Sequence, residues 1–127
     1  MTDTTDTIDE RRAVPAWRNW ALWGLQALLA AAFLAAGGQK LAGTEAMVAM
    51  FERIGGGQGF RVVTGVLEIV AAALVLIPRT AVAGAILIVL IMIGAVLTHL
   101  VLIGGSAIPA IVLLTLAATV AWGRAAR

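Results

Sequence analysis

Four apolar stretches, each long enough to cross a bilayer, account for most of the chain: residues of about 17–38, 60–77, 80–103 and 107–122. At 1.5 Å per residue, runs of about 16–24 residues match a hydrocarbon core of ~30 Å, the fourth being the shortest. In lipid every backbone amide must be paired within its own segment, so each stretch is expected to be a helix. Composition agrees. Hydrophobic residues make up 61% of the chain and charged residues 13%, with a mean hydropathy of +1.01; soluble domains carry roughly 45–50% and 25%. A chain of 127 residues has room for one domain. A soluble fold of that size leaves too much surface exposed to hide so many apolar side chains.

The links set the architecture. Pro78-Arg79 joins spans two and three, and Gly104-Gly105-Ser106 joins three and four. Such short links force antiparallel neighbours, so the chain is predicted to be an all-α, up-down-up-down four-helix membrane bundle. Trp17, Trp20, Trp23 and Trp122 lie where an interfacial aromatic belt is expected. Only the first link is long. Within it Thr44 followed by Glu45 reads as a helix cap with a favourable first-turn charge, and Gly55-Gly56-Gly57 ends the element. Met47, Met50, Phe51 and Ile54 share one face there, which predicts a short amphipathic helix at the membrane interface. Residues 1–15 and 124–127 read as tails, the first polar and disordered.

Charge gives orientation rather than function. The sequence pI of about 10.5 rests on a net charge of only +2, with basic residues scattered between apolar segments, so there is no basic stripe for nucleic acid. Arg11, Arg12, Arg18, Arg79, Arg124 and Arg127 fall on one side of the four spans; Lys40, Arg53 and Arg61 fall on the other. The basic excess marks the cytoplasmic face, so both termini are expected inside and the 39–60 link outside.

Polar residues inside spans call for an explanation, since a charge near mid-span costs about 2.5–3.5 kcal/mol on insertion scales. Four positions stand out: Gln26, Lys40 with Gln39 beside it, Glu68 and His99. Glu68 lies roughly 12 Å below the outer end of span two. His99 sits about one turn below the outer end of span three, and Lys40 is at the outer end of span one. Helical spacing puts Thr64 and Gly65 on the face of Glu68, Gly37 on the face of Lys40, and Thr98 beside His99. Small residues on these faces let helices approach. The expectation is an outer-half pocket lined by Lys40, Thr64, Glu68 and His99, with Gln39 and Thr98 assisting. Each residue also has a structural reading: Lys40 snorkelling, His99 bonded to a carbonyl, Gln26 bridging helices, Glu68 in an ion pair with Lys40 or Arg61.

One histidine and one carboxylate fall short of a zinc or bis-histidine haem site, and no metal is expected. The lack of cysteine excludes thiol redox chemistry and iron–sulfur ligation by this chain. A quinone site needs less: a titratable acid, a donor and an apolar slot. Glu68 and His99 suit the acid–base roles, with Lys40 biasing the charge.

The segments FLAAGGQKLAG (33–43), TEAMVAMFERIG (44–55), TGVLEIVAAALVLIP (64–78) and GAVLTHLVLIGG (94–105) resemble the DoxX-like branch of the DoxX family. The strongest elements are Gln39-Lys40-Leu41 after glycine, Gly65 three residues before Glu68 with Pro78 closing the span, and Thr98-His99. The resemblance covers about residues 20–123. It implies a small four-helix protein of the bacterial inner membrane, linked to quinol oxidase, thiosulfate:quinone oxidoreductase and sulfur-stress assemblies. The lack of cysteine and of a large extramembrane domain argues against thiosulfate oxidation by this chain alone. Two functions follow: a membrane redox subunit with a quinone or small-lipophile pocket, with a redox partner protein or a second copy beside it, or a non-enzymatic scaffold that binds a partner.

Overall fold

The computed structural model describes residues 15–125, and the expected N-terminal tail falls outside them apart from Pro15. The chain forms α1 (Ala16–Ala42), α2 (Glu45–Ile54), α3 (Gln58–Leu76), α4 (Ala81–Leu97) and α5 (Ile108–Ala125). A π-helical segment, Thr98–Ile103, continues α4 directly. Four helices are long and apolar enough to cross a membrane: α1, α3, α4 with its π-helical continuation, and α5.

α1 packs on α3 and α5, and α4 packs on the same two, while the diagonal pairs stay apart. That is the up-down-up-down ring expected from the short links. Two crossings are close because glycine removes the side chain. A Cβ on Gly37 would lie 2.9 Å from the Gly65 carbonyl oxygen, which fixes the α1–α3 contact. A Cβ on Gly84 would lie 2.6 Å from the Val75 backbone nitrogen, which pins α4 to α3 just beyond their turn.

The middle of the ring is apolar. Leu29, Ala30 and Phe33 of α1 meet Ala71 and Ala72 of α3, Ala85 and Ile88 of α4, and Ala117 and Val120 of α5, all buried. Polar groups are confined to the two ends of this layer.

At the end that carries the termini, α5 runs on past the expected span boundary, and Arg124, expected in a tail, is helical and buried. The reason is a ready set of acceptors. Its Nε donates to Gln26 Oε1 (2.7 Å), and its Nη1 donates to Asn19 Oδ1 (2.7 Å). The guanidinium also stacks 5.1 Å from the ring centre of Trp23. Gln26 in turn donates from Nε2 to the Val75 carbonyl (2.8 Å). That carbonyl is among the last four of α3, which have no acceptor role within the helix. Gln26 is thus the interhelical bridge its position implied.

Candidate functional site

At the opposite end, the first link builds a roof. Thr44 caps α2, its hydroxyl accepting from the Met47 amide (3.4 Å), and Gly55 ends the helix at φ 87°. The face of Met47, Met50, Phe51 and Ile54 turns toward the bundle, where all four line one cavity. Phe51 is buried and packs edge-on against Phe60 at 5.5 Å. Gln58 donates to the Val48 carbonyl (3.2 Å), tying α2 to α3.

Below that roof lies a cavity of about 500 Å³, within the usual range for small-molecule sites. Its walls are mainly apolar, and its polar residues are Lys40, Glu68, Thr64, Thr98 and His99. Five of the six residues singled out from the sequence therefore meet at one cavity. Gln39 does not. It stands about 100° further round α1, is exposed, and uses its carbonyl to accept from Gly43 and Thr44 where α1 ends.

Lys40 Nζ lies 2.8 Å from Glu68 Oε1 and 3.2 Å from Oε2. Glu68 is only 3% exposed. Arg61, the other sequence-level partner for Glu68, is used differently. It donates to the Lys40 carbonyl and to Gln58 Oε1 (2.8 Å), so its positive charge caps the C-terminus of α1. This leaves the Lys40 side chain for Glu68.

His99 lies in the π-helical segment, a distortion that is frequent at functional sites. Its Nδ1 is 2.9 Å from the carbonyl oxygen of Gly104, whose φ of 68° turns the chain back toward the ring. A carbonyl only accepts, so Nδ1 carries the proton and Nε2 of the neutral ring is an acceptor. Thr64 and Thr98 donate their hydroxyls to the carbonyls four residues earlier, Phe60 (2.8 Å) and Gly94 (2.7 Å), which leaves their oxygens as acceptors only. The cavity thus offers one cation, one carboxylate and several acceptors. Among the described residues no group of three or more His, Cys, Asp or Glu is arranged to hold a metal ion.

A family model described as the DoxX-like family matches residues 24–122. The chain belongs to the DoxX-like family. The matched range takes in α2, α3, α4, most of α1 and α5, and every residue named at the cavity. No curated protein and no solved structure matches the chain. Family and helices together describe a multi-pass membrane protein of DoxX-like type.

Sequence reasoning missed Arg124 and Asn19 at the other end. Arg124 lies 98 positions from Gln26, and at a chain end a single arginine reads as a topology charge.

Proposed function

We propose that this DoxX-like protein is a membrane redox subunit that binds a quinone-type lipophile in the cavity beneath α2. The observation that carries the reading is one buried Lys40–Glu68 ion pair, together with His99, in the wall of an otherwise apolar cavity of about 500 Å³. A planar apolar head with two carbonyl or hydroxyl oxygens matches that wall in polarity and in donor count. Lys40 supplies a donor to a carbonyl oxygen, while Glu68 and the Nε2 of His99 accept from a hydroxyl. A bound quinone supplies two-electron chemistry coupled to two protons, with the electrons passing to or from a partner protein. The chain's own part is to orient the head, exclude water and hold a proton at Glu68 or His99. The basic-residue count supports a cavity in the outer half of the bilayer, with both termini cytoplasmic.

The test is thermal stability of the protein in nanodiscs with and without menadione, a quinone without a tail. A saturable rise in Tm is expected, since a ligand that binds only the folded state stabilises it by mass action. No shift, together with a co-purifying protein, would replace this reading with the scaffold role.

A further inference from the structure

The cavity has a roof but is open at the side. On the aqueous side, α2 covers it with Met47, Met50, Phe51 and Ile54, and the Phe51–Phe60 contact closes the seam. On the side facing lipid, several of its lining residues are also part of the outer surface of the bundle. Phe60 is 47% exposed, Leu67 40% and Leu90 61%. These residues belong to α3 and α4, so the cavity reaches the surface between those two helices. Gly94 stands at the same edge: it is exposed, and a Cβ added there would meet no atom within 4 Å.

The helix pair explains the gap. α3 and α4 are held together at their turn, where Gly84 lets α4 press on the Val75 backbone and Thr80 Oγ1 donates to the Leu74 carbonyl (2.9 Å). Toward the other end the two helices flank the cavity, which occupies the space between Thr64–Glu68 and Leu87–His99. The pair forms a wedge, narrow at the turn and open at the α2 end.

We infer that the site takes a tailed amphiphile from the bilayer, with its head at Lys40–Glu68 and its tail leaving between α3 and α4 past Gly94. This rests on the proposed quinone-type reading of the cavity and narrows it to membrane-dissolved, long-chain members of that class. The physical reason is continuity of solvent. The walls of the mouth, Phe60, Leu67, Leu87, Leu90 and Gly94, are apolar, so a tail passing them stays in a lipid-like environment. A polar solute from water meets the α2 roof instead.

Two measurements test it. The first needs no ligand. The chain has no cysteine, so a nitroxide attached to Ala95→Cys, inside the cavity, is the only label. Relaxation by oxygen, which dissolves in lipid, is expected to exceed relaxation by a water-soluble nickel chelate; the reverse order overturns the lateral opening. The second compares menadione with phylloquinone, which carries the same head on a long tail, in the parent and in Gly94→Phe. The bulky ring is expected to abolish the Tm shift from phylloquinone and to leave that from menadione. Leu67→Trp, on the facing lip, should repeat the pattern if Gly94→Phe folds poorly. An equal effect on both ligands overturns the mouth but leaves the quinone site standing. If neither quinone shifts the parent, the redox reading falls, and the relaxation measurement decides the opening by itself.

Discussion

Lys40 and Glu68 close an ion pair across the α1–α3 contact, one turn from the point where Gly37 and Gly65 bring the two backbones together. The glycines make the pair possible, because only a close crossing lets a lysine at the end of α1 reach a carboxylate near the middle of α3. The two partners differ in what they do when separated. Lys40, at a helix end, is able to extend toward water, whereas Glu68 is 3% exposed and has no such route.

That asymmetry gives the first prediction. Lys40→Met leaves an unpaired buried carboxylate and should lower stability by about 3–5 kcal/mol. Glu68→Gln replaces the carboxylate by a neutral amide, and its cost should be smaller. The double variant should recover most of the loss seen in Lys40→Met. Glu68→Gln should nevertheless lose the Tm response to menadione. A Glu68→Gln protein that folds and keeps the full response would remove Glu68 from the site.

The buried bridge at the other end links α1, α3 and α5. Gln26→Leu removes the hydrogen bonds to the Val75 carbonyl and from the Arg124 Nε, and losing the partner of a buried polar group costs about 1–3 kcal/mol. Unfolding in detergent should show a loss in that range with the menadione response intact. Parent-like stability would mean that lipid or water replaces the bridge at no cost.

Glycines on α4 should behave in opposite ways. Gly84→Val places side-chain atoms into the Val75 backbone, and overpacking of this kind costs about 1–3 kcal/mol or more. Gly94→Ala meets open space, and replacing a mid-helix glycine should raise stability by about 0.5–1 kcal/mol. Equal effects of the two substitutions, read by thermal unfolding, would be inconsistent with the wedge.

Topology is tested by single cysteines in this cysteine-free chain. With both termini inside, a membrane-impermeant thiol reagent applied to intact cells should label Gly57→Cys but not Asp3→Cys or Ala126→Cys. Labelling at the termini alone would invert the orientation and put the cavity in the inner leaflet.

Much of this was legible in the sequence because lipid leaves so few options. Four long apolar runs with two tight links admit one ring of helices. Polar residues in those runs stand out against an apolar background, so Gln26, Lys40, Glu68 and His99 were visible one by one. Their three-and-four spacing with glycine and threonine indicated shared faces. What spacing does not carry is which partner wins. Arg61 was as good a partner for Glu68 as Lys40, until the left-handed turn at Gly43 put the end of α1 beside the guanidinium. Gln39 is adjacent to Lys40 in sequence, but a helix turns its neighbour to another face. Arg124 was hidden because its acceptors, Asn19 and Gln26, lie on the first helix and it lies on the last.

The apolar middle layer separates the polar groups at one end of the bundle from those at the other. Among the described residues, the buried polar side chains are Gln26, Glu68 and Arg124. Glu68 and the Val75 carbonyl held by Gln26 are seven residues apart on α3, or roughly 10 Å. Between them stand Leu29, Phe33, Ala71, Ala72 and Ile88, with no side chain that passes a proton. The Lys40–Glu68 pair and the Gln26–Arg124 bridge are thus two polar ends with no buried side-chain relay between them among the described residues.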